Sequence, residues 1–471
     1  MEKCLQIPEI LRYVCDELDT ESCLSAALTS RTFLEPALDR LWYHVDSMRP
    51  LICCLPVGVG IFKLHNEPAP GMYLYPEPTF KCEDLNRYLS FYARHIRVFS
   101  SPTFSPHEPC LSTDFLLALQ IATEYEHGAL APLLQKVVWF PPTWTDVKSR
   151  ASLSAFVCLF VGKHIESFEF RAHAQGQEAL YNASLQSNIK RISKQLKSLT
   201  IKGLYEAPLI HPYLLPFPWD TLEVLKISTY SSTLVQHLAT LPRLRALEIC
   251  DKELGQPTFH TLPRSQAPPC PTDFTNLRVL SLGTTCAEDR VWGMLNYLPS
   301  TNQLQQFEIS STSIIASCVC QDIIKAIALR CNPRTLTSIR LVDWDVPADD
   351  RDRQTLSKFD EEDQDIPVDI TPLYPFDQLE VLVVSWFPDI RLSTQDASAI
   401  PWREQFPLAT PHRRLHTLRV SNSPISSPSR VLAFLKSHFP RLEELDVFYA
   451  DYDLETLSVL DRRWAAVLKG L

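Results

Sequence analysis

Two stretches decide the fold: Leu222-Glu223-Val224-Leu225-Lys226-Ile227 and Leu244-Arg245-Ala246-Leu247-Glu248-Ile249. Both place apolar residues first, fourth and sixth in a sextet, with variable residues between. The sextet returns from Leu277, Leu304, Leu336, Leu379, Leu415 and Leu442, and earlier from Leu134, Ile165 and Leu196. A weaker copy starts at Ile96 and ends on Ser101. The fourth and sixth residues alternate with variable ones, as on one face of a short strand. A single strand cannot bury that face, so the pattern predicts units that stack and share one apolar interior.

The stretches between sextets read as helices. His237 to Leu244 runs His-Leu-Ala-Thr-Leu-Pro-Arg-Leu, and Phe434 to Leu442 runs Phe-Leu-Lys-Ser-His-Phe-Pro-Arg-Leu. In each, an apolar helical segment stops at a proline, which lacks an N–H donor and clashes with the preceding turn. Glu178 to Lys194 puts Leu180, Leu185, Ile189 and Ile192 on one face, and Thr113 to Ala122 and Val319 to Leu329 behave alike. The unit is strand, loop, helix, loop, which predicts parallel strands joined by helical crossovers.

This series resembles the leucine-rich-repeat family over residues 95 to 450. Sextet starts lie about 22 to 43 residues apart, wider than the roughly 20–29 of regular repeats. The family's asparagine at the ninth position is absent: Tyr230 and Thr285 stand there in the copies from Leu222 and Leu277. The resemblance implies an α/β solenoid, curved, with parallel strands on its concave face and helices on its convex face. Without the asparagines, the loops after the strands should be irregular. The third, fifth and seventh pattern positions then face outward on the concave side: Ser198, Thr200 and Lys202; Val224 and Lys226; Ala246 and Glu248; Gln306 and Glu308; Ser338 and Arg340; Thr417 and Arg419; Glu444 and Asp446. Aromatics follow several strands: Phe140, Trp344, Trp386, Phe387, Phe448 and Tyr449. Lys202, Lys226, Glu248, Glu308, Arg340, Trp344, Trp386, Arg419, Asp446 and Phe448 are the candidate contacts for a protein substrate, since mixed charge with rim aromatics suits protein recognition.

Composition narrows the function. With 471 residues the chain exceeds one ordinary compact core. Eleven glycines against 37 prolines argue against the tight phosphate loops of a nucleotide-binding enzyme and for many short elements. A formal net charge of -10 argues against nucleic acid or an anionic membrane as the main partner. No export signal or membrane span is legible, so the 14 cysteines read as reduced thiols in a cytoplasmic or nuclear protein. No C-x-x-C occurs, and no metal or cofactor is expected. No G-x-S-x-G, P-loop or H-E-x-x-H occurs either, and His412 and His416 straddle the start of a strand, so no enzyme activity is expected.

The first 46 residues differ from the rest. Pro8 sits at a helix start, and Ile10, Leu11, Val14 and Leu18 form one stripe. A second helix follows the capping candidates Asp19 and Thr20 and carries Leu24, Ala27 and Leu28. A third runs from about Glu35 to Trp42. So short a trio has little core of its own and should need a partner or the next domain.

This segment resembles the F-box in Ile7-Pro8, Ile10-Leu11, Val14, Leu18-Asp19, Leu24, Leu28 and the closing Trp42. Ser30-Arg31-Thr32-Phe33 stands where the family has Cys-Arg-x-Phe or Trp, a departure at Ser30. The resemblance implies a surface for the Skp adaptor of cullin-RING ubiquitin ligases, formed by Ile7, Pro8, Ile10, Leu11, Val14, Leu24 and Leu28. An F-box before an irregular repeat array is the layout of many fungal F-box proteins.

The organisation expected is an F-box at 1–46, a connector and solenoid cap at 47–94, and the solenoid at 95–471 with an acidic insertion at 343–369. Residues 47–80, rich in Pro and Gly, read as a loop or small hairpin, and Glu83 to Arg94 as the capping helix. The insertion, with Asp349-Asp350 and Asp360-Glu361-Glu362-Asp363, reads as a solvated surface loop. The function expected is substrate recognition in a Skp–cullin–F-box ligase. The alternative is a leucine-rich-repeat scaffold without ligase function.

Overall fold

A computed structural model describes residues 7–65, 71–78, 80–100, 110–140, 155–172, 179–203, 207–249, 274–284, 288–311, 317–343, 371–384, 413–421, 428–448 and 462–471. Trp344, Trp386, Phe387, Tyr449 and His412, and the acidic insertion beyond Asp343, lie outside the described residues. The chain divides into two compact units, Met1–Leu204 with Pro208–Val224, and Tyr205–Ala207 with Leu225–Leu471.

The strands are β1 (His44–Val45), β2 (Gly60–His65), β3 (Gly71–Pro76), β4 (Val98–Ser100), β5 (Cys110–Leu111), β6 (Lys136–Trp139), β7 (Ser167–Arg171), β8 (Ser198–Lys202), β9 (Val224–Ile227) and β10 (Ala246–Ile249). They continue as β11 (Val279–Thr284), β12 (Gln306–Ser311), β13 (Ser338–Asp343), β14 (Val381–Val384), β15 (Thr417–Ser421) and β16 (Glu444–Phe448). The fold is mixed α/β, and thirteen of these strands are ordered in space as in the chain, all but β2, β3 and β5. Every sextet lands on one of the thirteen. In the second unit the parallel register pairs like with like: Leu247, Leu280, Phe307, Ile339, Leu382, Leu418 and Leu445 are successive partners. In the first unit Phe99, Val137, Phe168 and Leu199 are partners in the same way.

Each strand begins at the third sextet position, and the backbone shows why. The carbonyl of position two accepts two N–H groups, those of positions two and three of the next copy. Arg97 O takes Gln135 N at 2.8 Å and Lys136 N at 3.0 Å; Gln135 O takes Glu166 N at 2.8 Å and Ser167 N at 3.0 Å. Arg245 O takes Arg278 N at 2.8 Å and Val279 N at 2.9 Å. One shared acceptor thus sets the register of each copy on the last. Inside, Leu222, Leu225, Leu244, Leu247, Leu304, Phe307 and Ile309 are all buried, each worth about 1.5–3 kcal/mol over an exposed side chain.

The strand pattern missed one copy. Tyr43 O accepts Arg97 N at 3.0 Å and Val98 N at 2.9 Å, and β1 pairs in parallel with β4. Trp42-Tyr43-His44-Val45 is therefore a truncated sextet that ends in Asp46-Ser47 instead of an apolar residue. The sheet begins at His44, ahead of the start read at residue 95, because a two-residue strand leaves too little alternation to register as one.

The crossovers form as expected, with helices at Thr113–Ala122, Ala179–Ile192, Ser232–Ala239, Ser317–Arg330 and Pro428–His438. Ser112 Oγ accepts from Phe115 N at 3.1 Å and Ser231 Oγ from Leu234 N at 3.2 Å, capping two of them. The Pro–Gly connector is a hairpin, β2 against β3, with β5 added in parallel. The expected single helix at 83–94 is broken into a 3₁₀ turn at Cys82–Leu85, a helix at Asn86–Phe91 and a second 3₁₀ turn at Ala93–His95. Gly128 adopts φ +73° and its Cα faces Gly162; a Cβ at Gly128 would lie 2.6 Å from the Gly162 Cα, so this turn needs glycine at 128.

Polar side chains form a ladder of their own ahead of the strands. Thr221 Oγ1 donates to Lys194 O at 3.0 Å and Leu196 O at 2.9 Å. Asn276 Nδ2 donates to Pro242 O at 2.6 Å. Asn302 Nδ2 reaches Pro299 O at 2.6 Å and Arg330 O at 2.8 Å, while Asn332 Nδ2 reaches Asn302 O at 3.1 Å. These side chains satisfy turn carbonyls that no strand pairs.

Candidate docking surfaces

Three helices open the chain: α1 (Pro8–Asp16), α2 (Thr20–Thr29) and α3 (Arg31–Leu41). Asp19 caps α2, its Oδ1 accepting from Ser22 N at 2.7 Å, and Ser30 Oγ accepts weakly from Thr32 N at 3.4 Å. The third helix starts at Arg31, a turn before the expected Glu35, so Pro36 lies inside it. The trio's own core is small: Cys15, Cys23 and Ala37, with Leu18, Ala27, Phe33 and Leu41 against them. Burial pushes the Cys15 thiol up to about 11 and raises Cys23 as well. Both stay protonated and act as small apolar fillers.

So small a core is braced from outside. Trp42 stacks on Tyr92 at 4.4 Å between centroids and meets Tyr88 edge-on at 6.2 Å. Tyr88 is buried and donates to Leu130 O at 2.7 Å. Asp39 accepts from His95 Nδ1 at 2.6 Å and from Arg12 Nε at 3.1 Å, and Arg94 Nη2 donates to Glu35 at 2.6 Å. Burial works against the charge on Asp39, but the hydrogen bonds and charges of His95 and Arg12 outweigh it and hold the carboxyl below its ordinary range. Arg94 Nε lies 3.4 Å from His95 Nε2.

With the trio held this way, several apolar side chains remain outside. Ile7 is 43% exposed, Ile10 38%, Leu24 50% and Leu28 79%. Pro8 is also exposed, and Val14 is half-buried. Leu11 is only 3% exposed. It belongs to the packing of α1, which corrects its assignment to an adaptor surface. Tyr13 and Leu34, not among the candidates, are exposed too.

The open face of the repeat strands carries the second candidate set, and its charges pair along the ladder. Lys202 Nζ lies 2.9 Å from Glu169, and Arg419 Nη2 lies 2.7 Å from Asp446. Lys226 is paired with Glu248. Glu308 stands opposite Arg340 in register. Lys202 also lies 4.9 Å and Arg171 5.8 Å from the centre of the Phe140 ring. Most candidate contact charges are thus neutralised by the adjacent strand, an arrangement that supports the sheet first. Phe448 closes β16, but nothing of its side chain is described.

No family model matches the chain, and no curated protein matches it. One solved structure returned by comparison is the complex of Rad7 and Elc1 in yeast, 12% identical over 79% of this chain and 81% of that chain. Its TM-score is 0.31. Among the described residues, no helix is long and apolar enough to cross a membrane, and no group of three or more His, Cys, Asp or Glu could hold a metal ion.

A polar row that the alternation pattern did not single out lines the edge where the strands begin. Its members are the position-two residues: Arg97, Gln135, Glu166, Lys197, Glu223, Arg245, Arg278, Gln305, Thr337, Glu380, His416 and Glu443. Every one is polar, and that uniformity was the available signal. In the first unit part of this row lines a cleft of about 360 Å³.

Proposed function

We propose that the chain is the substrate-recognition subunit of a Skp–cullin–F-box ubiquitin ligase. The observation that carries the reading is the set of exposed apolar side chains on the braced helices, Ile7, Ile10, Leu24 and Leu28. Apolar groups presented by helices that are already packed gain about 25 cal/mol per Å² when a partner covers them. The resemblance of residues 7–42 to the F-box assigns that partner to the Skp adaptor. The repeat strands hold the protein substrate. Catalysis is left to the other ligase subunits, and the chain contributes proximity.

The decisive experiment is a pull-down with purified Skp adaptor. The wild-type chain is captured; Ile10→Asp with Leu28→Asp is not, while its circular dichroism and Tm stay those of wild type. Leu11→Asp is unsuitable, since burying a carboxylate at that site unfolds the trio. Failure of the wild type to bind overturns the reading and leaves a repeat scaffold without ligase function.

A further inference from the structure

The helix Thr113–Ala122 is apolar on two sides. Phe115, Leu116 and Leu119 are buried, and the Phe115 ring lies 5.2 Å from that of Phe80 between centroids. Gln120 Nε2 donates to Cys158 Sγ at 2.9 Å and holds one flank. On the opposite side Leu117 and Ile121 stand one turn apart, both exposed. Asp114, three residues before Leu117, is exposed on that side as well. The described residues of the helices Ala179–Ile192 and Ser232–Ala239 expose no large apolar side chain. The outward stripe is therefore not a general property of the crossovers.

Just past the helix, Tyr125 is exposed between exposed Glu124 and Glu126. Glu124 and Tyr125 adopt φ of 52° and 57°, the left-handed region that is costly for any residue with a Cβ. The turn holds them there: Glu124 N donates to Ile121 O at 3.0 Å, Tyr125 N to Gln120 O at 2.8 Å and Glu126 N to Thr123 O at 2.9 Å. These bonds fix where one aromatic ring and two carboxylates leave the chain.

The charge around the stripe has one sign. Residues 98–135 hold four Asp and Glu and no Lys or Arg. Among the described residues, none of Asp114, Glu124 and Glu126 forms an ion pair. The charge of Arg191 is felt at Cys158 and His127, on the Gln120 flank and not the Leu117 side. A firmly held apolar stripe rimmed by uncompensated carboxylates is complementary to a helix that is apolar on one face and cationic on the other.

We propose that the outward face of Thr113–Ala122 docks a basic amphipathic helix of a partner protein. Its apolar residues cover Leu117, Ile121 and Tyr125, and its lysines or arginines meet Asp114, Glu124 and Glu126. The inference goes beyond the receptor reading and does not use the adaptor surface.

The test passes a library of helical peptides over the immobilised full chain. The peptides carry randomised apolar residues at positions i, i+3, i+4 and i+7 with lysine or arginine elsewhere, and a matched library has glutamate for every cation. The basic library is retained and the acidic one is not, and bound peptides slow hydrogen exchange at the amides of residues 113–126. Leu117→Gln with Ile121→Gln, both outside the apolar interior, weakens retention by about tenfold or more, as expected for two half-exposed apolar side chains lost from a contact. Glu124→Gln with Glu126→Gln weakens it by about threefold at low salt and by less at high salt. Wild-type Tm in both variants separates loss of the surface from loss of the fold. Ile10→Asp with Leu28→Asp still retains the basic library, so this inference and the receptor reading fail separately. Equal retention of both libraries, or unchanged retention by Leu117→Gln with Ile121→Gln, overturns the proposal. So does a concentration-dependent dimer of the wild type that this double variant abolishes, which assigns the face to a second copy of the chain.

Discussion

The opening helices and the repeat strands solve the burial problem in opposite ways. In the strands of each unit, the sextet positions point into that unit's interior, and outward charges of neighbouring copies pair with each other. In the helices, the private core is three small residues, Cys15, Cys23 and Ala37, and larger apolar side chains stay in water. A region that completes its own contacts is built for stability; one that leaves contacts open is free, in the proposed reading, to take a partner. The contrast also explains the bracing at Trp42, Asp39 and Glu35: a segment too small to fold alone borrows stability from the helix and turn over residues 86–95.

The contrast breaks first in the interior. Phe307→Ala removes a fully buried ring and should destabilise the second unit by about 3–5 kcal/mol, read from denaturant melts. Trp42→Ala, which loses the stack on Tyr92 and the edge contact with Tyr88, should cost about 2–4 kcal/mol. Limited proteolysis of that variant should cut within residues 7–41 before the rest. Asp39 gives a smaller effect with a defined sign. Its folded carboxyl titrates below its ordinary range, so the stability it contributes is present above the unfolded value and is lost as pH falls through the folded one. Asp39→Asn should therefore be less stable than wild type at neutral pH and approach it in acid. Smallest is Lys226→Ala: the Lys226–Glu248 pair is half exposed, and its loss should cost less than about 1 kcal/mol. A larger loss there would mean that the open-face ladder matters more than the interior.

Most of the strand architecture was legible because one physical rule, burial at alternating positions of stacked copies, repeats often enough to outweigh chance. What escaped has a physical reason too. β1 is two residues long and lacks its sixth apolar residue. Helix α3 starts early because Ser30 can cap it and Pro36 is tolerated within it. Leu11 and Ile10 are adjacent in one stripe, and which of them faces water depends on how α1 packs against the rest of the fold, which no local pattern encodes. The pairing of Lys226 with Glu248 and of Arg419 with Asp446 depends on which copies are neighbours, so residues that read as free contacts proved to be partners of each other. The row at position two was visible as twelve polar residues, but its role in register appears only when carbonyls and N–H groups are placed.

Hydrogen exchange of the full chain, with and without purified Skp adaptor, tests the central claim most directly, because amides covered by a partner slow down where they are covered. The account predicts slowing across residues 7–29, with the strands β6 to β16 unchanged. Slowing confined to the strands, with residues 7–29 exchanging at their free rate, would contradict it.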